Sequence, residues 1–91
     1  MDAVVIDGAL ASSRDALHTL LAQQLSFPDY YGRNLDALYD LLTERQTPTQ
    51  LVIQRRAALE AALGAYGAAL LETLAGAAQE NPALHVVFEA E

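Results

Sequence analysis

The sequence predicts an α/β domain built on a small parallel sheet, and three observations carry that prediction. Three short apolar runs, Ala3 to Ile6, Leu51 to Ile53 and Leu84 to Phe88, are rich in Val and Ile with little polar alternation, the pattern of strands buried on both faces. The stretches between them carry leucines at helical spacing. Ninety-one residues, 53% of them hydrophobic, hold one core and one domain, residues 1–91. Strands that alternate with helices predict parallel neighbours joined by right-handed helical crossovers.

Each element has its own local signal. After the first strand, Ser12-Ser13-Arg14-Asp15 forms a capping-box pattern ahead of Leu17, Leu20, Leu21 and Leu25, and the helix should stop before Pro28. The turn Asp29-Tyr30-Tyr31-Gly32-Arg33 follows, with Gly32 expected to supply a positive φ angle. Asn34 is a good N-cap for a helix running through Leu35, Leu38 and Leu42 toward Glu44. Thr47-Pro48-Thr49 is the loop before the second strand. From Arg55 to Glu80 the chain is rich in Ala, Leu and Glu, and Gly64 and Gly67 should divide it into two helices. Asn81-Pro82 ends the last helix, because the residue before proline is disfavoured in helical conformation.

Charge narrows the function classes. Twelve acidic residues against five basic ones, all Arg, give a formal net charge of −7. Such a field repels nucleic acid and anionic membranes and attracts basic surfaces. The chain has no cysteine, which excludes disulfides, thiolate chemistry and Cys-based zinc sites. The N-terminal segment lacks the basic region and long apolar stretch of a signal peptide, and no later apolar run reaches membrane-spanning length. A cytoplasmic protein is expected. The absence of lysine, with abundant Ala, Leu and Arg, points to a bacterial source.

The second helix carries the most information. Taking roughly 100° per residue, Asp36, Asp40 and Glu44 lie at about 0°, 40° and 80° around the axis, while Leu35, Leu38 and Leu42 cluster on the far side. Tyr39 falls between the two faces, and Tyr30 and Tyr31 sit in the turn that introduces the helix. Aromatic residues make rigid interface anchors, and carboxylates complement Arg, Lys or protonated His on a partner. Taken by itself an acidic helix face is usually solvated surface, Asp36 is favoured near a helix start by the macrodipole, and the tyrosines could simply pack over the core.

The run Pro28-Asp29-Tyr30-Tyr31-Gly32-Arg33-Asn34-Leu35-Asp36-Ala37-Leu38-Tyr39-Asp40-Leu41-Leu42-Thr43 resembles the signature of barstar-like ribonuclease inhibitors. The resemblance implies a three-stranded parallel sheet packed with about four helices, and a binding surface made by the motif helix and its preceding turn. It implies that Tyr30, Tyr31, Asn34, Asp36, Tyr39 and Asp40 contact a basic ribonuclease. Asp40 matches the carboxylate that takes the place of a substrate phosphate in the enzyme's active site. Glu44, which continues the acidic face, and Glu80 complete the expected partner-binding set. Two departures stand out: Tyr39 replaces a frequent tryptophan, and the family's acid late in the last helix falls at Gly76, with Glu72 and Glu80 one turn to either side. The expected role is an antitoxin-like inhibitor, monomeric in a 1:1 complex, with neither cofactor nor metal. The alternative keeps the fold and exchanges the ribonuclease for another basic partner.

Other chemistry is weakly represented. His18 and His85 have no metal-ligand spacing and no accompanying nucleophile, so surface or satisfied structural roles are expected of them. Asp36, Asp40 and Glu44 diverge along a rigid helix and do not reproduce a calcium loop. The glycines form neither a dinucleotide fingerprint nor a phosphate loop. Arg55 and Arg56 are too few for a nucleic-acid track. No enzymatic activity is expected.

Overall fold

Parallel pairing of the three apolar runs organises the fold, here described from a computed structural model for residues 2–89. Strand β1 (Asp2–Asp7) leads through a single 3-10 turn (Gly8–Leu10) to helices α1 (Arg14–Leu25) and α2 (Leu35–Glu44). Strand β2 (Thr49–Gln54) is followed by α3 (Arg56–Leu63), α4 (Ala65–Glu80) and β3 (Leu84–Phe88). The sheet order is β1-β2-β3 and both pairings are parallel.

Register explains how the sheet is used. Val4, Leu51 and Val86 form one transverse row, and Ile6, Ile53 and Phe88 another. These rows face the helices and join a core with Leu17, Leu21, Leu38, Leu42, Leu59, Leu70 and Leu74. The alternate rows, Ala3-Gln50-His85 and Val5-Val52-Val87, face outward, where Val5 is 45% and Val87 38% exposed. The expectation of strands buried on both faces is therefore corrected: one face is open. Both crossovers move in the same direction across the sheet, so crossovers of one hand place both helix pairs on one side. Val5, Val52 and Val87 fill one row of the open face, and Gln50 and His85 in the other are too few to give the regular polar alternation that would reveal it.

Several chain reversals differ in detail from the sequence expectation. The α1 cap is Ser13, whose Oγ accepts the Ala16 N–H at 3.1 Å. Gly64 alone divides α3 from α4, with φ +59°, a conformation that glycine adopts without steric cost. Gly67 lies inside α4, where a Cβ would sit 3.2 Å from that of Leu63; it lets α3 and α4 approach closely. In the tyrosine turn the positive φ belongs to Arg33 (55°), and not to Gly32. At Gly8 a Cβ would lie 2.4 Å from the Arg55 carbonyl oxygen, so the ends of β1 and β2 can meet only through glycine.

Candidate functional site

Helix α2 is fastened at both ends and along its inner face. At its start the Asn34 side-chain oxygen accepts the Ala37 N–H at 2.7 Å, satisfying one of the orphan donors of the first turn. At its end the Asn81 amide donates to the carbonyl oxygens of Leu42 (2.9 Å) and Arg45 (2.8 Å), tying α2 to the junction of α4 and β3. Arg45, just beyond, donates to Thr49 Oγ1, the Leu25 carbonyl and Asp2. Leu38 and Leu42 are fully buried beneath.

The outer face is left free. Asp36, Asp40 and Glu44 are exposed, and among the described residues no arginine forms an ion pair with any of them. Tyr39, half-buried, packs on the core, and its ring edge lies 3.8 Å from where a Gly76 Cβ would stand. The small residue at Gly76 therefore leaves Tyr39 room against α4.

The preceding turn is built from the inside outward. The Tyr31 N–H donates to the Pro28 carbonyl at 3.0 Å, closing the turn. Arg33 reaches back to α1, donating to the Asp15 carbonyl, Asp15 Oδ1 and Thr19 Oγ1 at 2.7–2.8 Å. The Tyr31 ring packs 4.8 Å from that of Phe27 and is 7% exposed, whereas its neighbour Tyr30 is 83% exposed. Burial, with a further contribution from Tyr66, raises the Tyr31 hydroxyl pKa well above the usual phenol value, so it stays protonated.

Turn and helix together enclose a shallow cleft of about 230 Å³, lined by Tyr30, Tyr31, Gly32, Ala37, Asp40, Leu41 and Glu44. Its floor is apolar and aromatic; its rim carries two carboxylates. Such a cleft suits a side chain with a planar or apolar body and a cationic head. The structure thus brings Tyr30, Tyr31, Asp40 and Glu44 together. Asn34 and Asp36 lie at the helix start, where the Asn34 oxygen is committed to capping and its Nδ2 to the Gly32 carbonyl at 3.3 Å. Tyr31 lines the cleft while almost entirely buried.

The chain belongs to the barstar family. The family model described as "Barstar (barnase inhibitor)" matches residues 1–90. A Bacillus subtilis (strain 168) protein named "Putative ribonuclease inhibitor YrdF" is 41% identical over 81 residues, spanning 88% of this chain and 89% of that protein. The fold agrees with this membership, since the three-stranded parallel sheet and four helices are those the Tyr-Tyr-Gly motif implies for barstar relatives.

The two acids flanking Gly76 occupy different surroundings. Glu72 lines a cleft with Arg56, Glu60, Leu71 and Phe88, on the side of α4 that faces α3 and β3. Glu80 is exposed in the last turn of α4 and adjoins Asn81, which is bonded to the end of α2. His18 is a satisfied structural histidine, as expected, bonded beneath the turn to Tyr31 and to Tyr66, which sequence reasoning did not single out. His85 is exposed on the open sheet face. Among the described residues no cluster of three or more His, Asp or Glu is placed to hold a metal ion, and no helix is long and apolar enough to cross a membrane.

Proposed function

We propose that this barstar-family chain is a non-enzymatic, cytoplasmic inhibitor that covers the active site of a basic, barnase-type ribonuclease in a 1:1 complex. One observation carries the reading. Three carboxylates without an ion-pair partner among the described residues stand on the outer face of a helix immobilised from below, beside an exposed tyrosine. A ribonuclease cleft is positive because it must hold phosphate, and Asp40 in that cleft gains charge-assisted hydrogen bonds to Arg and His. Tyr30 supplies a rigid apolar anchor, Asp36 and Glu44 extend the anionic surface, and the formal charge of −7 speeds encounter with a basic enzyme. Because α2 is already capped and packed, little ordering is required on binding. Glu80, at the end of α4 nearest α2, is the better replacement for the family acid displaced at Gly76.

The test is titration of a purified barnase-type ribonuclease with the protein while RNA hydrolysis is followed. Activity should fall to zero near one equivalent, and an Asp36→Ala, Asp40→Ala double variant should restore it. Wild-type protein that leaves hydrolysis untouched overturns the ribonuclease reading. Gly76 favours a second reading, in which the same surface binds a basic protein that is not a ribonuclease. A pull-down that retains such a protein on wild type and releases it from the double variant supports that alternative.

A further inference from the structure

Beneath the turn lies a buried group that direct contact with a partner does not use. His18, on the inward face of α1, is 1% exposed, and both its ring nitrogens are engaged. Nδ1 meets the Tyr31 hydroxyl at 2.6 Å and Nε2 the Tyr66 hydroxyl at 2.7 Å. A neutral imidazole has one N–H and one lone pair, so one tyrosine accepts from the ring and the other donates to it. The three groups come from α1, the turn and α4.

We infer that His18 and Tyr66 are positioning residues for the binding surface, acting through Tyr31 to hold the Tyr30-Tyr31-Gly32 turn where it presents Tyr30 beside Asp40. The inference rests on the reading that turn and α2 form the partner-binding face. Tyr30 and Tyr31 share a peptide bond while one is exposed and the other buried. With the Tyr31 ring packed against Phe27, a backbone displacement that draws Tyr31 away from His18 moves Tyr30 and the cleft wall with it. Tyr66 acts one step further back. By occupying Nε2 it fixes the ring orientation, and whichever role its hydroxyl takes there, the Tyr31 hydroxyl takes the opposite one at Nδ1. The Arg14 guanidinium lies 4.1 Å over the Tyr66 ring and steadies it from the solvent side.

The arrangement is matched to an uncharged ring. The charged and titratable groups around it are Arg14 and Asp15 on α1, Tyr31 and Arg33 in the turn, and Tyr66 on α4. A protonated imidazole would present two N–H groups, and the hydroxyl that had donated to the ring would lose its acceptor. The nearby Arg33 charge adds to that cost, while Asp15 opposes it.

Tyr66→Phe and Tyr31→Phe each remove one oxygen and keep the packed ring. The experiment measures amide hydrogen exchange and imidazole 15N shifts in the free protein, and dissociation from a purified barnase-type ribonuclease. In wild type the two imidazole nitrogens should show the shifts of a neutral ring bonded at both positions. In Tyr66→Phe the Nε2 shift should move as that nitrogen loses its partner, the Tyr31 amide should exchange about tenfold faster, and dissociation should quicken about tenfold, with β2 amides unchanged. Unaltered turn exchange and dissociation in both variants overturn the inference. So does equal acceleration throughout β2 and α2, which would mark the network as general packing. Wild type that fails to bind the ribonuclease removes the proposed function, while the exchange and imidazole signals still decide whether His18 and Tyr66 hold the turn.

Discussion

At the strand ends, on α3 and below the tyrosine turn, arginine meets carboxylates of the same chain: Arg45 with Asp2, Arg55 with Asp7, Arg56 with Glu60 and Arg33 with Asp15. The fifth arginine, Arg14, stacks on Tyr66. On the outer face of α2, Asp36, Asp40 and Glu44 have no comparable neighbour among the described residues. The first region uses charge to join segments of the fold, some distant in sequence; the second holds charge apart from them. Like charges one helical turn apart cost only about 0.2–0.5 kcal/mol. Burial of Leu38 and Leu42 under the same helix, at about 1.5–3 kcal/mol each, outweighs that repulsion. The helix therefore tolerates an unneutralised face that a cationic partner can neutralise.

The contrast can be broken most forcefully from below. Leu42→Ala should cost about 2–5 kcal/mol of stability in chemical denaturation and weaken partner binding only as the fold is lost. On the outer side, Asp40→Ala should raise the inhibitory Kd at least about 30-fold, equivalent to about 2 kcal/mol, with no drop in Tm. A large loss of thermal stability would assign Asp40 to the structural set instead. Asn81→Ala leaves two carbonyl oxygens at the end of α2 without their donor, and unfolding free energy should fall by about 1–3 kcal/mol.

Mild acid sharpens the contrast by testing the buried side through His18. Burial, with the charge of Arg33, lowers the His18 pKa below the ordinary 6.5. The unfolded chain then binds more protons than the folded one between those two values, so stability is full above pH 6.5 and declines as pH falls toward the lowered value. Urea midpoints compared at neutral pH and in mild acid should show the decline, and His18→Gln should remove that component. The smallest effect belongs to the paired region. Arg56→Ala breaks a half-exposed i,i+4 pair with Glu60 and should change stability by less than about 1 kcal/mol in the same assay.

The order of elements was legible because each carries local information: branched apolar runs for strands, spaced leucines for helices, Ser, Asn and Pro at the boundaries. The acidic face was legible for the same reason, since Asp36, Asp40 and Glu44 need only helical periodicity to be aligned. The open sheet face was not, because Val5, Val52 and Val87 read the same whether a helix covers them or not. The His18 network was hidden for a different reason. Its partners stand 13 and 48 residues away, and no spacing rule links a lone histidine to tyrosines on other elements. Gly32 misled because the bend at the turn falls one residue later, where Arg33 takes the left-handed conformation while its side chain holds α1.

The reach of Asn81 to the end of α2 also sets an order in time. During synthesis the turn and α2, residues 30–44, emerge well before the residue that closes the helix end, and before β3 completes the sheet. Contacts this distant along the chain form only after the intervening segment is available. A nascent chain that ends within α4 carries every residue of the acidic face without the anchor that fixes it. The fixed arrangement of the acidic face is therefore a property of the finished fold.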